Sequence, residues 1–91
     1  MNNRRIIKKY PNRRLYDTEH SKYVTLEDIR MLVIENKEFV VVDAKSKQDI
    51  TKNILLQIVV EKENKGNSFF STEALTRIIH SYEKENEIKS D

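Results

Sequence analysis

Ninety-one residues with 37% hydrophobic and 35% charged side chains and a mean hydropathy of −0.73 support one small core and exclude a second. The absence of cysteine excludes disulfide scaffolds, thiol nucleophiles, iron–sulfur ligation and cysteine zinc sites. The net charge of +2 hides a division: residues 1–16 carry six Lys/Arg and no acid, whereas residues 17–91 carry 11 Lys/Arg against 15 Asp/Glu.

The basic segment Arg4-Arg5-Ile6-Ile7-Lys8-Lys9-Tyr10-Pro11-Asn12-Arg13-Arg14-Leu15-Tyr16 interleaves cations with large apolar residues, unlike a solvated tail. Its β-formers flank Pro11-Asn12, a turn pair, which predicts a hairpin. Strand periodicity puts Ile6, Lys8 and Tyr10 on one face and Arg5, Ile7 and Lys9 on the other, and neither face is purely polar. Thr18 to Ser21 is a polar turn, and Tyr23-Val24 a short third strand. Tyr16 and Tyr23 are expected to fill the small core with their hydroxyls at its rim.

Thr25-Leu26-Glu27-Asp28 is a capping box, with Val24 placed to staple on Ile29 and two acids at the positive helix end. The helix is expected over Leu26–Glu35, apolar at Leu26, Ile29, Leu32 and Val33, with Asn36 as a left-handed stop. Phe39-Val40-Val41-Val42 reads as a strand covered on both faces and central in its sheet. Asp43 to Asp49 is turn-like, after which Thr51 is expected to cap a second helix, stapled from Ile50 to Leu55. Ile54, Leu55, Ile58 and Val59 recur at helical spacing, although the β-branched content leaves a strand reading open.

Asn64-Lys65-Gly66-Asn67 breaks the chain. Ser71 then caps a third helix, with Glu73 in its first turn and Phe70 placed to staple on Leu75. Its stripe Leu75, Ile78, Ile79 and Tyr82 is either core or a subunit seam. The fold class is therefore α+β: a small single domain with an N-terminal β-hairpin or meander followed by helix, strand and two helices. It is expected over residues 1–82, with 83–91 a polar, frayed tail.

The longest nearly unbroken apolar stretch, Ile54 to Val60, falls far short of the roughly 20 residues that span a bilayer. No secretory signal pattern follows the basic N-terminus, so no membrane insertion and a cytoplasmic location are expected. Enzymatic chemistry lacks ingredients: His20 and His80 have no ligand spacing, and the single glycine cannot build a phosphate loop. Asp17 and Asp43 end strands and read as turn caps instead of a catalytic pair. No cofactor or metal is expected.

Three ordered blocks carry a resemblance: Lys8-Lys9-Tyr10-Pro11-Asn12-Arg13-Arg14-Leu15-Tyr16-Asp17, Tyr23-Val24-Thr25-Leu26-Glu27-Asp28-Ile29, and Phe39-Val40-Val41-Val42-Asp43-Ala44. Together they resemble the N-terminal DNA-binding domain of polyhydroxyalkanoate (PHA/PHB) synthesis repressors, closely over about residues 5–63 and more loosely over Leu75 to Tyr82. The turn Lys45-Ser46-Lys47 lacks the glycine that the resemblance would place there.

The resemblance implies a transcriptional repressor of polyhydroxyalkanoate storage. It also implies that accumulating polymer titrates the repressor from promoters such as those of phasins, the granule-coat proteins. Double-stranded DNA is then the expected partner, with the polyester a further one; a homodimer is the expected assembly on other grounds, since a partner chain would supply apolar burial that so small a core lacks. Arg4, Arg5, Lys8, Lys9, Arg13 and Arg14 would neutralise phosphates, Tyr10 would add a phosphate hydrogen bond, and Asn12 with an arginine would reach base edges. The rival is a module that docks protein or polyester through an apolar patch on the Ile54 to Val60 helix and the stripe Leu75, Ile78, Ile79 and Tyr82, with no direct DNA contact.

Overall fold

The computed structural model describes residues 4–66 and 68–89, the last five of these by backbone alone. The basic segment forms the expected hairpin. Strand β1 (Arg5–Lys9) pairs antiparallel with β2 (Leu15–Asp17), setting Ile7 opposite Asp17, Lys8 opposite Tyr16 and Lys9 opposite Leu15. Pro11, Asn12 and Arg13 make a three-residue loop: the Tyr10 N–H donates to the Arg14 carbonyl and the Arg13 N–H to the Tyr10 carbonyl, both at 2.9 Å. Arg13 closes it in the left-handed region at φ 68°, where such loops ordinarily place glycine.

A turn through Ser21 (φ 52°) leads to β3 (Lys22–Val24), antiparallel to β2. Helix α1 (Leu26–Ile34) then starts at the capping box, with the Asp28 N–H donating to Thr25 Oγ1 at 3.2 Å and the Thr25 N–H to Asp28 Oδ2 at 2.8 Å. Asn36 stops it at φ 57°. The Lys37 and Asn36 N–H groups reach back to the Leu32 and Val33 carbonyls, at 2.9 and 3.0 Å, a left-handed cap that satisfies two terminal acceptors.

Strand β4 (Phe39–Asp43) returns parallel to β1, which gives the order β3-β2-β1-β4. The expectation of a central strand is thus corrected: β4 is an edge. Only Val41 is fully buried, while Phe39, Val40 and Val42 are half-buried. Its outer edge is closed by its own continuation, where the Ile50 N–H donates to the Val41 carbonyl and the Asp43 N–H to the Gln48 carbonyl, at 2.8 and 2.9 Å. A run of β-branched residues therefore reflects a half-buried edge protected from further pairing, not a strand sandwiched on both faces.

Helix α2 (Thr51–Asn64) settles the ambiguity between helix and strand. Thr51 is its first residue and does not cap it. Its hydroxyl donates to Asp49 Oδ1 at 2.7 Å and accepts the Val41 N–H of β4 at 2.8 Å, while Asp49 takes the Thr51 N–H at 2.9 Å. The capping oxygen is thus supplied two residues earlier, which frees the threonine to tie the helix start to the sheet.

The core lies on one face of the sheet, where Ile7, Leu15 and Val41 meet Ile29 and Leu32 of α1 and Ile54 of α2. Val24, Leu26, Phe39, Ile50 and Ile58 pack around them. Of the remaining α2 stripe, Leu55 and Val59 are exposed. On the opposite face, Tyr23, Tyr16, Lys8 and Val42 line up as one row across all four strands. The two tyrosines expected in the core stand in this row, Tyr16 half-buried and Tyr23 exposed, because the register assigns the core face to their neighbours Leu15, Asp17 and Val24.

The chain divides into two compact units within α2, one up to Val60 and one from Glu61. In the second, α2 ends before Gly66 (φ 92°); Asn67, at the end of the expected break, lies outside the described residues. The Glu63 carboxylate accepts the Phe69 N–H at 2.6 Å and the Phe70 N–H at 3.2 Å. Helix α3 (Thr72–Lys89) is capped by Ser71, whose Oγ accepts the Ala74 N–H at 3.0 Å. The backbone stays helical past Tyr82 to Lys89; Ser90 and Asp91 of the expected tail lie outside the described residues.

Candidate nucleic-acid interface

Strand extension separates what the sequence presents as one basic block. Residue 4 and residue 10 stand about 20 Å apart along β1, at about 3.3 Å per residue, beyond the screening length of roughly 8 to 10 Å. Arg4, exposed ahead of β1, lies near Asp49 and helps the Thr51 hydrogen bonds hold that carboxyl below its ordinary range. Arg5 turns inward. Its guanidinium lies 3.6 Å from Asp17 and 3.6 Å from Glu19, with only 20% of the side chain exposed.

Asp17 anchors that cluster. It is 2% exposed, and its oxygens accept the Glu19 N–H at 2.9 Å and meet His20 Nδ1 at 3.0 Å. Burial pushes the carboxyl up, but the His20 ring, the Glu19 and His20 amides and the Arg5 charge together hold it below its ordinary value. Asp43 caps its own turn, accepting the Lys45 and Ser46 N–H groups at 2.8 Å each. Asp17 and Asp43 are thus turn caps, as the sequence suggests. Among the described residues, no group of three or more His, Cys, Asp or Glu could hold a metal ion.

The hairpin tip is different. Lys8, Lys9 and Arg14 flank its three-residue loop and Arg13 closes it; none of the four is in an ion pair among the described residues, and the Lys9 charge helps hold the Asp43 carboxyl below its ordinary range. They divide between the faces. Lys8 stands in the outer tyrosine row, and the Arg14 guanidinium carbon lies 5.1 Å from the Tyr23 ring centroid. Lys9 and Arg13 border a hollow on the helix side with Leu26, Ile54 and Gln57. Asn12 keeps the tip's shape, its Oδ1 accepting the Arg14 N–H at 3.1 Å. Tyr10 is half-buried.

Two cations join the tip that the arm does not contain. Because β4 runs parallel to β1, the turn after β4 emerges beside the tip, and the exposed Lys45 and Lys47 lie there. Nothing local in the sequence links residues 45–47 to residues 8–14; only the β1–β4 pairing does. Tyr23, which carries Arg14, reads as a core residue from local pattern, and only its register opposite Tyr16 puts it on the outer face.

Leu75, Ile78, Ile79 and Tyr82 are all exposed on α3, at 45%, 40%, 64% and 68%. The stripe is therefore not core among the described residues. Among the described residues, no helix is long and apolar enough to cross a membrane.

A family model described as the PHB/PHA accumulation regulator DNA-binding domain matches residues 6–66. An uncharacterized protein in the phbA 5' region of Thiocystis violacea is 56% identical over 82 residues, covering 90% of this chain and 59% of its own length. An uncharacterized protein of Allochromatium vinosum is 55% identical over 82 residues, with 90% and 54% coverage. The chain thus spans little more than half the length of these curated relatives. No solved structure matches it.

Proposed function

The chain belongs to the PHB/PHA accumulation regulator DNA-binding domain family, and on that premise we propose that it is a transcriptional repressor of polyhydroxyalkanoate storage and phasin genes. It grips double-stranded DNA through the hairpin tip. The observation that carries this reading is the set of four tip cations that stand in no ion pair among the described residues, Lys8 and Arg14 on one face of a two-stranded tip and Lys9 and Arg13 on the other. A groove has phosphates on both walls, and the major groove, about 12 Å wide, admits a two-stranded ribbon. Cations on both faces of the ribbon match that charge layout. Arg4 stands too far along β1 to share the contact, and Arg5 is engaged by Asp17 and Glu19. Acting on DNA would set the protein in the cytoplasm.

The protein acts as a homodimer in this proposal. An 18-residue helix with an exposed Leu75, Ile78, Ile79 and Tyr82 stripe has an amphipathic pattern that water alone does not satisfy. The same exposure favours the second reading, in which this stripe docks polyester or another protein and no DNA is touched. Titrating the purified chain against a duplex from beside its own storage-polymer genes and against a scrambled duplex tests the choice. Tighter, salt-sensitive binding to the first supports the repressor. Failure to bind either at low salt, with polymer or protein association lost in Ile79→Asp, favours the second reading.

A further inference from the structure

We propose that the turn after β4 is the second half of the nucleic-acid interface, with Lys45 and Lys47 binding the phosphate backbone beside the hairpin tip. The inference rests on the DNA-binding reading above and extends it to residues outside the basic arm.

The first observation is register. Asp43 is level with Lys9 in the parallel pair, and the Ala44 N–H donates to the Lys9 carbonyl at 2.8 Å. The β4 turn and the tip therefore leave the sheet at the same end. Neighbouring strands stand about 4.8 Å apart, inside the screening length of roughly 8 to 10 Å, so the two sets of cations act on a polyanion as one field.

The second is availability. Lys45 and Lys47 are exposed, and neither is in an ion pair among the described residues. The two acids that bound the turn are held in place by other groups, Asp43 by accepting the Lys45 and Ser46 N–H groups on its Oδ1 and Asp49 by accepting the Thr51 N–H and hydroxyl.

The third is backbone strain. Lys47 sits at φ 68°, as does Arg13 in the tip. Both positions would cost glycine nothing sterically, and both hold a long cation instead. Neither side chain is needed for packing, since both are exposed. A strained backbone kept under an exposed cation points to work done by the side chain. Of the other non-glycine residues at positive φ, Asn36 stops α1 and Ser21 sits in the β2–β3 turn, positions that suit small polar residues without any ligand.

The test is fluorescence anisotropy of the purified chain on a short mixed-sequence duplex across a salt series, with thermal melts of every variant. Phosphate contacts persist in sequence-independent binding, so no operator is needed. Lys45→Ala with Lys47→Ala should make the log–log salt slope shallower by about 2 and weaken binding roughly tenfold per lysine at 0.1 M salt. Lys47→Gly should give about half that effect with an unchanged or higher Tm, and it decides the matter if the double variant melts early. Unchanged slope and affinity in the lysine variants, alongside a loss in Arg13→Ala with Arg14→Ala, would overturn this inference and leave the DNA reading intact. A wild-type chain whose binding is indifferent to salt and to the arginine pair would overturn both.

Discussion

The Arg14 guanidinium lies over the face of Tyr23, 5.1 Å from carbon to ring centroid, and Tyr23 meets Tyr16 edge-on at 5.2 Å. The stack fixes a cation that would otherwise swing freely at the hairpin tip. An exposed cation–π contact contributes about 0.5–1 kcal/mol. Tyr23→Leu should therefore cost about 1 kcal/mol of stability and weaken DNA binding a few-fold, while Tyr23→Phe retains both. Chemical denaturation and a DNA titration on the same samples check this; equal binding by the Leu and Phe variants would contradict it.

Thr51 joins the start of α2 to the edge strand through one hydroxyl. Thr51→Val keeps the shape but leaves the Val41 N–H without its 2.8 Å acceptor. An unmet partly buried donor costs about 1–3 kcal/mol, so Tm should fall by on the order of 10 °C in a domain this small. Thr51→Ser restores the acceptor and should recover most of the loss. A valine variant that melts with the wild type would show that β4 needs no such tie.

The carboxyl of Asp17 titrates below its ordinary value when folded, because the hydrogen bonds of the His20 ring and turn amides, with the Arg5 charge, outweigh the opposing effect of burial. The unfolded chain then takes up the proton at higher pH than the folded one. The stabilisation is fully present above the ordinary carboxyl pKa of about 3.9 and is lost as pH falls through the folded value. Asp43, Asp49 and Glu63 shift the same way. Tm should hold from pH 7 to about 5 and then drop, and Asp17→Asn should reduce the drop from a lower starting Tm. Rising stability below pH 4 would refute this assignment.

Local chemistry was legible wherever one segment decides its own structure. Thr25 with Asp28 announces α1, Asn36 its end, and Pro11-Asn12 between β-formers the hairpin. What local pattern cannot carry is the partner across space. Phe39–Val42 has the composition of a central strand, and only the strand order makes it an edge closed by Asp43 to Ile50. Thr51 looks like a cap until Asp49 takes that place. Arg5 counts as one more arm cation until Asp17, twelve residues on, claims it. Lys45 and Lys47 gain their significance from a parallel pairing across more than thirty residues.

The most direct test of the central claim is Arg13→Gly, measured for stability and for DNA binding on the same preparation. Glycine removes the tip cation and also relieves a left-handed position at φ 68°, so the two effects separate. The account predicts a gain of up to about 1 kcal/mol in stability, together with weaker binding and a salt slope shallower by about 0.9. A stabilised variant that binds duplex DNA with unchanged affinity and slope would contradict it.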